Sequence, residues 1–130
     1  MDYNRRMLIT GALLGITAIV LGAFGAHGLK KVLDAAQLES FETGVKYQIY
    51  HALLLLICGA TRISSLASGR IFYWLTITGV VFFSGSIYLL TTSSVTGFDI
   101  TAFGIITPIG GLMLIAGWVV LLIDFMRKKS

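Results

Sequence analysis

Three long stretches of this chain, at 7–26, 71–90 and 104–123, carry no charged side chain. A helix needs about 20 mostly apolar residues to cross a bilayer, so each stretch predicts a spanning helix. Hydrophobic residues make up 56% of the 130 residues and charged residues 12%, whereas an average soluble domain has about 25% charged residues. Too few polar side chains are available to cover a soluble particle, and the apolar content excludes a disordered chain.

A weaker apolar run follows the first stretch. Residues 49–60 are apolar but too short to span, and the run reaches spanning length only from Phe41 to Thr61. This extension takes in Glu42 and Lys46, so we expect a fourth span with a polar outer end, where a lysine side chain can reach the interface. The sequence therefore predicts an all-α, four-helix transmembrane bundle that forms a single domain over 1–130.

The segment between the first two spans, 29–42, has apolar residues near helical spacing with charged residues between them. This pattern predicts a short amphipathic helix on the outer interface, and the alternative is a plain polar loop.

The distribution of Lys and Arg predicts the orientation. With four spans, one side holds Arg5, Arg6, Arg62, Arg70, Arg127, Lys128 and Lys129, and the other holds Lys30, Lys31 and Lys46. Seven basic residues against three place both termini in the cytoplasm and the protein in the cytoplasmic (inner) membrane. The net charge is +4, and the basic residues flank the apolar runs, where they orient membrane helices. We therefore expect membrane lipid as a partner and no nucleic-acid partner.

Small residues form a stripe along the first span, spaced alternately by four and three residues. Close backbone contact through such residues drives helix association in lipid, so we expect another helix to dock there. The stripe also motivates a homo-oligomer or a membrane-protein partner. Its members are Gly11, Gly15, Ala18, Gly22 and Gly25.

Ionisable groups within or beside spans are candidates for function because they are costly in lipid. His27, Glu42, Tyr47 and His51 all belong to the outer half and are expected to line one polar pocket. Four interpretations stay open: a metal site, haem held by two histidines, a hydrogen-bonded structural network, and a small binding or proton-relay site. The residues favour the network, so no metal and no cofactor are predicted.

Catalysis has little support in the sequence. No nucleophile elbow, zinc-protease helix or phosphate-binding glycine loop is present. Cys58 is the only cysteine, which excludes an intrachain disulfide and a cysteine-based metal cluster. Asp124 precedes Arg127 and Lys128 by three and four residues, a spacing typical of an ion pair on a helix. An enzyme is therefore less expected than a non-enzymatic protein.

Four ordered segments resemble the small YgdD/YwdK-like inner-membrane family, a domain of unknown function (number four-twenty-three), and are also similar to mitochondrial transmembrane protein two-five-six. They are 22–28 (GAFGAHG), 41–53 (FETGVKYQIYHAL), 83–90 (FSGSIYLL) and 106–111 (ITPIGG) followed by Gly117 and Trp118. The resemblance implies a four-span inner-membrane protein and no particular activity. The shared motifs also contain the polar residues Tyr50, Ser84, Ser86 and Tyr88. The last three are expected to line the polar pocket as well.

Two functions follow as expectations. The first is a non-enzymatic protein of the cytoplasmic membrane that packs with itself or with a partner. The alternative is a small-molecule, lipid or ion binder or transporter that uses the outer polar pocket.

Overall fold

A computed structural model describes residues 2–62, 66–97 and 104–127, and every regular element in these ranges is helical. The all-α prediction is confirmed. Each predicted span lies within one continuous helical segment, except that residues 104 and 105 precede the last helix. The elements are α1 (Tyr3–His27), a 3-10 turn (Leu29–Lys31), α2 (Ala35–Thr61), α3 (Leu66–Val80), a π-helical turn (Val81–Gly85), α4 (Ser86–Thr91), α5 (Ser93–Thr96) and α6 (Ile106–Arg127).

Three segments of the described chain are long and apolar enough to cross a membrane: Tyr3–Lys31, Ser68–Thr91 and Ile106–Arg127. Helix α2 has 27 residues, but polar side chains interrupt its middle turns. Two of them, Gln48 and His51, are each 4% exposed. These two side chains of α2 therefore point into the bundle.

Side-chain caps set where the first two long helices begin. The carboxylate of Asp2 accepts from the backbone N–H of Arg5 at 2.8 Å. Asp34 and Gln37 form a reciprocal capping box, with bonds of 2.8 and 3.0 Å, which satisfies two backbone donors at the start of α2. Helix α2 therefore starts at Ala35, six residues before the predicted span.

The separate amphipathic helix predicted at 29–42 does not form. Leu29–Lys31 makes a single 3-10 turn, and the residues from Ala35 onward belong to α2. The capping box at Asp34 explains this difference, because it starts a new helix in the middle of the predicted one. The apolar positions still pack together, since Leu29, Leu33 and Phe41 form one buried cluster.

The third predicted span changes from α-helical to π-helical geometry at the point where α6 approaches it most closely. A Cβ atom on Gly110 of α6 would lie 2.8 Å from the carbonyl carbon of Phe82, inside the π-helical turn Val81–Gly85. Such turns are rare in α-helices and often occur at functional sites. The two backbones therefore touch at this point, which only glycine permits.

Apolar clusters occupy both ends of the bundle and hydrogen bonds lie between them. The cluster at one end is built on Leu29, Leu33 and Phe41. At the other end, Asp2 and Arg62 form an ion pair at 3.5 Å. The cluster near that end contains Met7, Leu55, Cys58, Phe72, Tyr73 and Leu121.

Candidate functional site

His51 lies in the interior of the bundle with both ring nitrogens bonded. Its Nδ1 lies 2.7 Å from the carbonyl oxygen of Tyr47, and its Nε2 lies 3.1 Å from the indole nitrogen of Trp118. An indole N–H only donates and a carbonyl only accepts, so Nδ1 carries the proton and Nε2 accepts. The arrangement is complete for the neutral imidazole and would break if a second proton were added.

This geometry bears on the metal and haem interpretations, because both need a free imidazole lone pair. The lone pair of His51 already accepts the indole N–H of Trp118. Within the described ranges, no three His, Cys, Asp or Glu side chains gather as a metal site requires. Of the four interpretations, the contacts of His51 support the hydrogen-bonded network best.

A groove of about 290 Å³ opens beside this pair, between α2, the π-helical turn and α6. Trp118 is 50% exposed and Tyr47 is 41% exposed, so both rings reach the outer surface of the bundle. No hydrogen-bond partner of the Tyr47 hydroxyl is found among the described residues. We call this cavity the His51 groove, and it is lined by Tyr47, His51, Phe83, Gly111, Leu114, Ile115 and Trp118.

Gly111 leaves open space in one wall of the His51 groove, because it has no side chain. A Cβ on Gly111 would meet only Phe83, at 3.6 Å from its Cδ1 atom. That separation is an ordinary contact, so a larger side chain at Gly111 has room and would project into the cavity. The neighbouring Gly110 has no such room, because it abuts the backbone of Phe82 and Phe83.

A second hydrogen-bonded cluster centres on Gln48. Its amide nitrogen donates to the hydroxyl of Thr17 at 2.7 Å and to the carbonyl of Leu14 at 3.0 Å. Its amide oxygen accepts from the hydroxyl of Tyr88 at 2.6 Å. All the polar atoms of the amide are thereby engaged with α1 on one side and α4 on the other. The cluster joins three helical segments.

The residues of the predicted polar pocket separate into different places. Tyr47 and His51 line the His51 groove. Ser84 donates to the carbonyl of Gly44 at 2.7 Å, Tyr88 belongs to the Gln48 cluster, and the hydroxyl of Ser86 bonds to that of Thr107. His27 and Glu42 are exposed and line no part of the His51 groove.

The small-residue stripe of α1 packs within the chain. A Cβ on Gly11 would lie 2.9 Å from the carbonyl oxygen of Ala52, and one on Gly25 would lie 3.0 Å from the ring of Phe41. Ala18 is 1% exposed, and a Cβ on Gly22 would touch Val45 at 3.4 Å. Gly15 is the exception, with nothing within 4 Å of its Cβ position. The stripe thus docks α2, and the oligomer it motivated stays a prediction.

Asp124 lies on α6, and its side chain is 9% exposed. Its Oδ2 atom is buried without a hydrogen-bond partner among the described residues. No ion pair between Asp124 and Arg127 is found in the described chain, and Lys128 and Lys129 lie outside the described residues. The expected pairing with Arg127 is therefore not observed, and the pairing with Lys128 stays a prediction.

Sequence reasoning missed two residues that organise these contacts, Gln48 and Trp118. Both carried a signal. Gln48 is a polar side chain in the middle of a span, where an amide requires partners. Trp118 lies in the middle of an apolar run and not at an interface, so its N–H needed an internal acceptor.

Comparison with known proteins agrees with the resemblance seen in the sequence. The pattern of a family described as "Protein of unknown function (DUF423)" matches residues 21–111. A UPF0382 membrane protein of Staphylococcus haemolyticus is 45% identical over 117 residues, which are 90% of this chain and 92% of that protein. The UPF0382 membrane protein YwdK of Bacillus subtilis is 38% identical over 118 residues, 89% of this chain and 92% of that protein.

A third relative is the UPF0382 inner membrane protein YgdD of Escherichia coli. It is 36% identical over 132 aligned residues, which cover 97% of this chain and 93% of that protein. No solved structure matches the chain significantly.

Proposed function

Since this chain belongs to the DUF423 family and its relatives are membrane proteins, we propose that it is a non-enzymatic membrane protein that binds a lipid acyl chain in the His51 groove. The observation that carries the proposal is a cavity of about 290 Å³ whose half-exposed Trp118 reaches the outer surface of the bundle. An integral membrane protein exposes such a groove to acyl chains.

The hydrogen bonding of the groove favours an apolar occupant. The nitrogens of His51 and Trp118 bond to each other and to Tyr47, so they have no free donor or acceptor for a polar ligand. The walls from Phe83, Leu114 and Ile115 are apolar. Recognition then rests on shape, with the Tyr47 hydroxyl as the polar group open to the ligand.

The proposed orientation places both termini in the cytoplasm. The ion pair of Asp2 with Arg62 holds the start of α1 beside the end of α2, so Arg5 and Arg6 lie at the same end of the bundle as Arg62. Basic residues concentrated at one end support a cytoplasmic location of that end. Reporter fusions should place Ser130 in the cytoplasm and the 28–34 segment on the other side of the membrane, and a reporter at Ser130 outside the cytoplasm would overturn the orientation.

Labelling of retained lipid tests the acyl-chain proposal. The protein is extracted from membranes that contain a phospholipid with a photoactivatable acyl chain, purified in detergent, and only then irradiated, so that only bound lipid reacts. Peptide mapping should find the label concentrated at 47–51 and 111–118.

The variant Gly111→Leu should remove that label because its side chain fills the groove. Gly15→Leu is the matched control, since its Cβ position has open space elsewhere on the bundle. Circular dichroism and size-exclusion profiles establish that both variants fold. Label spread evenly over the bundle, or label unaffected by Gly111→Leu, contradicts the proposal.

A further inference from the structure

A second groove lies on the surface of the bundle between α3 and α6, and it shares no lining residue with the His51 groove. Its volume is about 320 Å³, and we call it the Arg70 groove. It is lined by Arg70, Ile71, Trp74, Leu75, Thr78 and Met113.

The polar side chains of the Arg70 groove form hydrogen bonds within the protein, except for the charged side chain of Arg70. The hydroxyl of Thr78 donates to the carbonyl of Trp74 at 2.6 Å, and the indole N–H of Trp74 points to the hydroxyl of Tyr3 at 3.4 Å. Arg70 is exposed, and among the described residues no carboxylate forms an ion pair with it. The guanidinium is therefore available to an external anion.

The charge lies at one end of an apolar track. Arg70, Trp74 and Thr78 are spaced by four residues and share one helix face. With a rise of about 1.5 Å per residue, the track from Arg70 to Thr78 is roughly 12 Å long. Trp74 is 49% exposed along it. A ligand that matches this surface has an anionic head at Arg70 and an apolar tail along the groove.

We propose that the Arg70 groove binds an anionic phospholipid, with its phosphate on the Arg70 guanidinium and one acyl chain beside Trp74 and Met113. A guanidinium presents a planar fork of donors that fits phosphate oxygens. This proposal does not depend on the His51 groove.

Tryptophan fluorescence isolates this site because the chain has two tryptophans, Trp74 and Trp118. In a Trp118→Phe variant, Trp74 is the remaining emitter. The protein is reconstituted in bilayers of phosphatidylglycerol and phosphatidylcholine in equal amounts, with brominated acyl chains on one or the other. Bromine on phosphatidylglycerol should quench Trp74 with roughly a five-fold preference, which is the effect expected of one basic residue near a membrane surface.

The variant Arg70→Gln should bring the two lipids to equal quenching, and Arg70→Lys should keep part of the preference. Arg62→Gln is the matched control, because it removes the same charge at the same end of the bundle from a residue already paired with Asp2. Circular dichroism checks folding, and Arg70→Lys keeps the test valid if Arg70→Gln does not fold.

Three outcomes would overturn the proposal. A phosphatidylglycerol preference that survives Arg70→Gln would show that general surface charge is sufficient. Loss of the preference on adding inorganic phosphate would indicate a soluble anion as the ligand. Weak quenching by both lipids that strengthens on dilution of the protein in the bilayer would indicate a second copy of this chain on the groove.

Discussion

The indole N–H of Trp118 donates to Nε2 of His51 at 3.1 Å and joins α6 to α2 within the bundle. In the described chain, neither the indole N–H of Trp118 nor Nε2 of His51 has another hydrogen-bond partner, so each group satisfies the other. Loss of the Trp118 indole leaves the buried Nε2 acceptor of His51 unpaired, and loss of the His51 ring leaves the indole N–H unpaired; an unpaired polar group is costly where water is absent.

A double-mutant cycle measures this pair. His51→Phe and Trp118→Phe should each lower the free energy of unfolding in a denaturing-detergent titration, and the coupling between them should be about 0.5–1.5 kcal/mol. A coupling of zero within error would mean that the bond does not stabilise the fold.

Gly110 and Gly111 are neighbours with opposite expected behaviour. Gly110→Ala places a methyl group against the backbone of the π-helical turn, so it should destabilise by roughly 1–3 kcal/mol or more. Gly111→Ala should be tolerated, because its Cβ has ordinary contacts. Thermal unfolding in detergent compares the two variants, and equal loss in both would contradict the close approach of α6 to the third span.

Gly11 and Gly15 offer the same kind of comparison on α1. Gly11→Ala pushes a methyl group into the carbonyl oxygen of Ala52 and should separate α1 from α2, at a cost of about 1–3 kcal/mol. Gly15→Ala meets nothing and should be neutral or stabilising by about 0.5–1 kcal/mol, since alanine is the better helix former. The prediction is wrong if Gly15→Ala is the more harmful variant in the same unfolding assay.

Tyr88→Phe removes the donor to the amide oxygen of Gln48. The free energy of unfolding should fall by about 0.5–1.5 kcal/mol, in the range measured for hydrogen bonds between membrane helices. Tyr50→Phe serves as the control, because it removes a hydroxyl from a side chain that is 53% exposed. A similar loss in both variants would mean that the effect does not come from the bond between Tyr88 and Gln48.

Asp124→Asn should raise the stability of the protein by about 1 kcal/mol, because it replaces by an amide a carboxyl group whose Oδ2 atom is buried without a hydrogen-bond partner among the described residues. The exposed Glu42→Gln is the control and should change nothing. A marked loss of stability in Asp124→Asn would instead indicate that the negative charge has a stabilising partner.

The sequence determined most of the fold. Uncharged runs of spanning length predicted the helical segments, since lipid requires every backbone group to bond within its own helix. The small-residue stripe led us to expect another helix on α1, and α2 lies against its members Gly11, Gly22 and Gly25. The sequence also contained a signal for the start of α2, because Asp34 and Gln37 have the spacing of a capping box. The apolar pattern at 29–42 nevertheless favoured a separate helix.

The tertiary structure alone decided which polar side chains meet. His27 and His51 both belong to the outer half by sequence, but His51 faces Trp118 while His27 stays exposed. The reason is that the rotation of each helix about its axis depends on close backbone contacts such as those at Gly11 and Gly110. The spacing of residues along one helix does not encode the rotation of its partner. The two grooves arise in the same way, from where neighbouring helices separate around those contacts.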